Sequence, residues 1–218
     1  MDLKGLTIAF LGDSITEGVG ASSPQKRFPD ILKEKCGLKE VINYGLRGTR
    51  ISKQTVTFQE YEEWDRDFIS RVDEMRTDAD CVVVFGGTND YDHGDAPLGC
   101  FGDKDEHSFY GALHILMQKL IERYPDKLII FMTPLHRIND QNPESVYVPK
   151  GYYLSEYVDA IKKVADKYSI PVLDLYTVAG INPCIEEQNK MFFADGVHPN
   201  DNGYIRIAQR LEAFLKAL

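Results

Sequence analysis

The chain has few cysteines, and no two of them stand at a spacing typical of metal sites. Its four cysteines, Cys36, Cys81, Cys100 and Cys184, lie far apart and form no C-x-x-C pair. A disulfide framework or a structural zinc site is therefore not expected. Cys81 directly precedes a run of valines and is predicted to be a buried thiol.

Positive charge is in deficit, and long hydrophobic runs are missing. The 218 residues include 25 lysines and arginines against 34 aspartates and glutamates, a formal net charge of -9. Nucleic acids and anionic membranes attract basic patches, so neither is expected as a partner. No apolar stretch approaches the roughly 20 residues that cross a bilayer. The composition does not predict the oligomeric state.

No secretory signal peptide is recognisable at the N-terminus. The apolar run Leu6–Leu11 is too short for the hydrophobic region of such a signal, and no A-x-A cleavage site follows it. We therefore expect a cytoplasmic protein.

Several enzyme motifs are absent. The sequence contains no G-x-x-x-x-G-K-[ST], H-E-x-x-H or G-x-S-x-G, and the lack of the last argues against an α/β-hydrolase fold. Gly18-Val19-Gly20 resembles part of a dinucleotide-binding loop, but Ser23 stands where the third glycine would be. We therefore predict no nucleotide site.

Short apolar runs alternate with helical patterns along the chain. The candidate strands are Leu6–Leu11, Val41–Tyr44, Cys81–Phe85, Leu128–Met132 and Val172–Leu175, the last interrupted by Asp174. Most are apolar on both faces, as strands covered on both sides are. The candidate helices are Phe28–Cys36, His107–Arg123, Ser155–Tyr168 with Ser155 as N-cap, Gly203–Leu218, and part of residues 53–76.

This alternation predicts an α/β fold with a five-stranded parallel sheet between two layers of helices. The length suits one domain over residues 1–218. Binding sites in such sheets lie beyond the carboxyl ends of the strands. Ser14, Gly48 and Asn89 follow the first three strands, so we expect them to meet at one edge.

Ser14 is a candidate nucleophile that requires a base. Among the five histidines, His198 is favoured because Asp195, three residues earlier, can reach its Nδ1 if the segment is turn-like. Gly196 and Pro199 supply the residues for such a turn. The candidate donors for a developing oxyanion are the backbone N–H groups of Ser14 and Gly48 and the side-chain amide of Asn89.

These residues belong to four short blocks, Gly12-Asp13-Ser14, Asn43-x-Gly45-x-x-Gly48, Gly87-x-Asn89-Asp90 and Asp195-x-x-His198. Together and in this order they resemble the signature blocks of the SGNH hydrolases, also called GDSL esterases/lipases, from residue 12 to 198. The resemblance implies a flavodoxin-like α/β/α sandwich and a serine esterase without metal or organic cofactor. It also implies Ser14 as nucleophile, His198 as base, Asp195 as its partner, and Ser14, Gly48 and Asn89 as the oxyanion hole.

Each block also has an ordinary structural interpretation. Ser14 alone would be a turn or helix N-cap serine, and Asp195 with His198 a local turn pair. We expect Asp13 to brace the turn at Ser14 and Asp90 to hold its loop by Asx-type bonds. The presence of all four blocks favours the catalytic interpretation for Ser14, Asp195 and His198.

Two long connections, residues 91–106 and 135–153, follow strands and are predicted to flank the site. The candidate substrate contacts are Arg47, Tyr91 and His136, and the alternative for Arg47 is an ion pair with a nearby acid. Aromatic and polar loops favour a small-molecule or carbohydrate ester over a long acyl chain, and no apolar surface stretch typical of a lipase is present. We therefore predict hydrolysis of short-acyl esters, with acetyl as the expected group. The alternatives are a thioesterase or lysophospholipase using the same site and a non-catalytic carbohydrate-binding protein.

Overall fold

Five parallel strands form one sheet in the computed structural model, which describes residues 1–57 and 61–218. The strands are β1 (Thr7–Gly12), β2 (Glu40–Gly45), β3 (Cys81–Phe85), β4 (Leu128–Met132) and β5 (Val172–Leu173). Their order is β2-β1-β3-β4-β5, which is the flavodoxin-like order. The predicted five-stranded parallel sheet is therefore confirmed.

The last strand is shorter than predicted. β5 ends at Leu173 because the carboxylate of Asp174 accepts the backbone N–H of Thr177 and starts a helical turn. The same carboxylate also accepts the hydroxyl of Thr133 and pairs with Lys162. Asp174 thus ends the strand instead of merely interrupting its apolar pattern.

Helices lie on both faces of the sheet. They are α1 (Ser14–Glu17), α2 (Phe28–Cys36), α3 (Phe68–Arg71), α4 (Thr88–Asp92), α5 (Phe109–Arg123), α6 (Leu154–Lys167), α7 (Leu175–Val178), α8 (Glu186–Phe192) and α9 (Asp201–Ala217). Ala9 and Leu11 of β1 face the cluster that contains the buried sides of α3, α5 and α6. Ile8 and Phe10 face the opposite cluster, with α2 and α9. The three-layer α/β/α sandwich follows from strands that are apolar on both faces.

Two local predictions need correction or completion. The N-cap of α6 is Tyr153 and not Ser155, because the Glu156 carboxylate accepts the Tyr153 N–H at 2.8 Å and starts the helix one residue before Ser155. Within residues 53–76, α3 is flanked by 3-10 turns at Glu62–Asp65 and Val72–Glu74. Residues 58–60 of that stretch lie outside the described residues.

Register places the ends of three strands at the same level. Gly12, the last residue of β1, pairs with Gly45 of β2 on one side and with Phe85 of β3 on the other. The segments that follow these strands therefore leave the sheet together, which sets the location of the site.

Two further findings concern the cysteines and the helices. The four cysteines, all within the described residues, form no disulfide, and Cys81 is buried as predicted. In the described part of the chain, no helix has the length and apolar character needed to span a membrane.

Candidate active site

Ser14 begins α1 immediately after the first strand. The carboxylate of Asp13 accepts the N–H of Ile15 at 3.0 Å and caps the helix, so Asp13 braces this turn. The turn is tight: a Cβ at Gly12 would lie 2.0 Å from Oγ1 of Thr16. A glycine before Asp13 is thus required for Ser14 to reach the edge of the sheet.

A continuous line of hydrogen bonds joins Ser14, His198 and Asp195. His198 Nε2 lies 2.9 Å from the Ser14 hydroxyl oxygen, and His198 Nδ1 lies 2.7 Å from a carboxylate oxygen of Asp195. The other Asp195 oxygen accepts the backbone N–H groups of Val197 and His198. Gly196 has a φ of +83°, which makes this segment the turn that the spacing required.

The environment of Asp195 keeps its carboxyl group ionised. Partial burial raises the pKa of Asp195, but the hydrogen bonds from the His198 ring and from the backbone of His198 and Val197 outweigh it. The net result is a pKa well below the ordinary value of an aspartate. A permanent negative charge at Nδ1 fixes the imidazole tautomer and stabilises an imidazolium.

Gly48 and Asn89 reach the same cavity as Ser14, which has a volume of about 280 Å³. Gly48 has a φ of +72°, and the indole of Trp64 covers it so closely that a Cβ would lie 2.4 Å from the ring. Asn89 donates one amide hydrogen to the carbonyl of Thr49 at 2.9 Å, which leaves its second hydrogen for a ligand. The structure therefore brings together the five residues of the predicted triad and oxyanion hole.

A buried arginine that sequence reasoning missed ties these segments together. The Arg71 guanidinium donates to the carbonyl of Gly12 at 3.1 Å, to the carbonyl of Tyr44 at 2.8 Å and to the hydroxyl of Thr49 at 3.0 Å. Burial lowers the pKa of Arg71 to about 10, so it remains charged at neutral pH. It links the ends of β1 and β2 to the turn that carries Gly48.

Asp90 holds the same turn from the side of β3. Its carboxylate accepts the N–H of Ile51 at 2.9 Å, and the N–H and the hydroxyl of Ser52 at 2.8 and 2.5 Å. The expectation of Asx-type bonds within its own loop therefore needs correction. Asp90 is buried and braces the neighbouring loop.

Of the predicted substrate contacts, Arg47 lines the cavity and Tyr91 does not. Arg47 lines the cavity and also pairs with Glu17, with Nη2 at 2.5 Å from Oε1. Tyr91 does not line the cavity, because α4 turns it into the core, where it is 1% exposed and its hydroxyl donates to the carbonyl of Asn139. The structure therefore does not support Tyr91 as a direct contact.

His136 does not line the cavity either. Its Nδ1 lies 2.5 Å from the buried carboxylate of Asp140, and its ring centroid lies 3.8 Å from that of Tyr176. These contacts hold the ring within its own loop, so the structure does not support His136 as a direct contact with substrate.

The cavity has walls that were not predicted. Besides the residues already placed, it is lined by Val19, Trp64, Asp92, His93, Arg137 and Val197. Asp92, His93 and Arg137 lie on the two connections that were expected to flank the site, but no spacing in the sequence shows which side chains face inward. Among the described residues, no group of three or more His, Cys, Asp or Glu side chains is placed to hold a metal ion.

Comparison with known proteins gives one family. The model of the GDSL-like lipase/acylhydrolase family matches residues 10–206. No curated protein sequence matches the chain significantly.

Solved structures share the fold. A protein from Lactobacillus plantarum is 33% identical, with a TM-score of 0.84 and 98% of both chains covered. A lipase/acylhydrolase from Enterococcus faecalis is 21% identical, with a TM-score of 0.68. The match covers 97% of this chain and 96% of that chain. A two-domain esterase active on acetylated mannans is 21% identical, with a TM-score of 0.65, and the match covers 98% of this chain and 49% of that one.

Asp13 predicts a pH dependence of stability. Burial raises the pKa of Asp13 to about 6 from the usual 3.8, although the Ile15 N–H and nearby positive charges oppose the shift. Between about pH 4 and 6 the native state binds more protons than the unfolded state, so this group destabilises the fold as pH rises through that window. Asp13→Asn keeps an acceptor for Ile15 and removes the titration. The free energy of unfolding of Asp13→Asn minus that of wild type should therefore increase by about 2–3 kcal/mol from pH 4 to pH 7.

Urea unfolding at both pH values measures this difference. Asp126→Asn, at an exposed position, is the matched control and should show no such increase. A stability difference between Asp13→Asn and wild type that is the same at pH 4 and pH 7 would contradict the assignment.

Proposed function

We propose that the chain, which belongs to the GDSL-like lipase/acylhydrolase family, hydrolyses short-acyl carboxylic esters through an acyl-enzyme formed on Ser14. Family membership makes it an ester hydrolase. The observation that carries the mechanism is the line of hydrogen bonds from Ser14 through His198 to Asp195, at 2.9 and 2.7 Å. These distances are within the range for direct proton transfer from a nucleophile to its base.

The reaction proceeds in two steps. His198 Nε2 accepts the Ser14 proton as the serine oxygen attacks the ester carbonyl, and Asp195 stabilises the resulting imidazolium. The proton then passes to the leaving alcohol as the acyl-enzyme forms. Water, deprotonated by His198, attacks the acyl-enzyme and releases the acid and free Ser14.

Charge on the carbonyl oxygen is stabilised by the donors around the cavity. We assign this role to the backbone N–H groups of Ser14 and Gly48 and to the free amide hydrogen of Asn89. A single donor of this kind is typically worth about 2.7–4 kcal/mol of transition-state stabilisation. Arg71 acts as a positioning residue, because Thr49, to which it donates, adjoins Gly48 and accepts from Asn89.

The size and polarity of the cavity favour a short acyl group. A volume of about 280 Å³ is small for a binding pocket, and the polar or charged side chains of Arg47, Asp92, His93 and Arg137 line it. A long acyl chain would leave these polar groups desolvated without partners. A two-domain esterase that shares the fold over 49% of its chain is active on acetylated mannans.

A chain-length series tests the substrate class. We expect kcat/KM for p-nitrophenyl esters to fall at least about tenfold from acetyl to decanoyl, because the cavity is too small to enclose the longer chain. Ser14→Ala is the control and should hydrolyse none of the esters faster than the background. A kcat/KM that rises with chain length would contradict the short-acyl proposal, and a Ser14→Ala variant as active as wild type would contradict the mechanism.

Removal of the Arg71 side chain should reduce turnover more than binding. Arg71→Met releases the turn that carries Gly48, and small displacements of oxyanion donors are costly, so kcat should fall about 10- to 100-fold with KM within about threefold. Arg66→Met, at an exposed arginine of the same stretch, is the matched control.

Thr49→Val and Thr49→Ser provide a second test, because Arg71→Met places an apolar side chain among buried carbonyls. The kcat of Thr49→Val should fall, as that of Arg71→Met does. Thr49→Ser keeps the hydroxyl and should retain the kcat of wild type. Equal activity of Thr49→Val and Thr49→Ser would show that the contact with Arg71 does not position the site.

A further inference from the structure

The cavity contains an ion pair that the proposed reaction does not use. Nη2 of Arg137 lies 3.0 Å from Oδ1 of Asp92, and both residues line the cavity beside Ser14. Asp92 ends α4, which follows β3, and Arg137 lies in the connection after β4. The pair therefore belongs to the connections that follow β3 and β4, which are neighbours in the sheet.

Asp92 carries a negative charge at neutral pH. Burial raises the pKa of Asp92, but the nearby His93 ring and the attraction of Arg137 outweigh it, so the pKa lies below the ordinary value. Its Oδ2 lies 3.6 Å from Nδ1 of His93, whose Nε2 lies 3.0 Å from the carbonyl oxygen of Gly48. Because a carbonyl only accepts, Nε2 carries the hydrogen in this contact.

Arg137 retains donor capacity. Among the described residues, the hydrogen bonds of its Nη1 are long ones, of 3.4 and 3.3 Å, to the carbonyl and hydroxyl oxygens of Thr88. Its Nε has no hydrogen-bond partner among the described residues and is covered from solvent, so a ligand would meet the terminal nitrogens. A guanidinium has five donors, and fewer than that are used here.

We propose that the Asp92–Arg137 pair binds two neighbouring hydroxyl groups of the substrate, so that the substrate is an ester of a sugar or of another polyol. The proposal rests on the proposed esterase function and names its substrate class. A carboxylate beside a guanidinium offers an acceptor and a donor side by side, and a vicinal diol offers the complementary donor and acceptor. The pair has no net charge, so it does not select an anion.

The alternative ligands fit this wall less well. An acyl chain against the pair would remove two charged groups from water without replacing their hydrogen bonds. The other ion pair at the cavity, Arg47 with Glu17, is less suited to a diol, because both Glu17 oxygens already accept from Arg47, one of them from its backbone N–H. The Asp92 pair is therefore the better site for hydroxyl recognition.

Kinetics on two substrates separate recognition from a merely structural role. One substrate is p-nitrophenyl acetate, which has no hydroxyl groups. The other is a mono-O-acetylated methyl glucoside, mannoside or xyloside, whichever the wild type hydrolyses with the highest kcat/KM. In Asp92→Asn and in Arg137→Met, the ratio of kcat/KM for the sugar ester to kcat/KM for p-nitrophenyl acetate should fall at least about tenfold, the loss expected for charge-assisted hydrogen bonds.

The matched control is Arg76→Met, at an exposed arginine that pairs with Glu40 and Asp78. Its ratio should equal that of wild type. If the pair only braces the two loops, kcat/KM for both substrates will fall together and the ratio will stay within about twofold, which overturns the proposal.

Binding without turnover distinguishes this proposal from the catalytic one. Trp64 is the only tryptophan of the chain; it lines the cavity with its ring 5.0 Å from that of His93, so its fluorescence reports on cavity occupancy. In a Ser14→Ala background, titration with the three methyl glycosides should give a saturable change for at least one of them. Addition of Arg137→Met should raise its Kd at least about tenfold.

The absence of any saturable change, or an unaltered Kd in the Arg137→Met variant, would overturn the subsite. Saturable binding that depends on Arg137 in a protein whose wild type hydrolyses no ester would leave the subsite standing and refute the catalytic proposal. The two failures are therefore distinguishable.

Discussion

The parallel register at the end of β1 is the constraint on which the site depends. Because Gly12 pairs with Gly45 and with Phe85, three strands end at the same level and the segments after them share one edge. This arrangement brings Ser14, Gly48 and Asn89 to one cavity although they lie on three different connections. His198, 184 residues after Ser14, then meets it through a turn that precedes the last helix.

Buried charges hold this edge together. Arg71 connects the ends of β1 and β2 to the turn that carries Gly48, while Asp90 holds the continuation of that turn from the side of β3. Burial raises the pKa of Asp13, although the positive charges of His198 and Arg71 oppose the shift. Such groups are costly to bury, and we interpret them as the rigid support that oxyanion donors require.

The sequence predicted correctly those features that follow from the course of the backbone. Strands apolar on both faces predicted the covered parallel sheet, and the position of each motif after a strand predicted which residues would meet. The sequence did not predict which side chains point into the cavity, as Tyr91 and Asp92 show. They are adjacent on the five-residue helix α4, too short for a readable period, yet Tyr91 turns into the core and Asp92 faces the cavity. The sequence carries no signal that separates Arg71 from Arg66 or Arg76, because Arg71 contacts two carbonyls and one hydroxyl that lie far away in the sequence.

The central claim is that Ser14 is a nucleophile activated by His198 and Asp195. Reaction with a fluorophosphonate, followed by peptide mass spectrometry, tests it without any assumption about the substrate. The account predicts one covalent adduct, on Ser14, whose rate of formation falls at least about a hundredfold in Asp195→Asn, while the variant remains folded by circular dichroism. An adduct on another residue, or an Asp195→Asn rate equal to that of wild type, would contradict it.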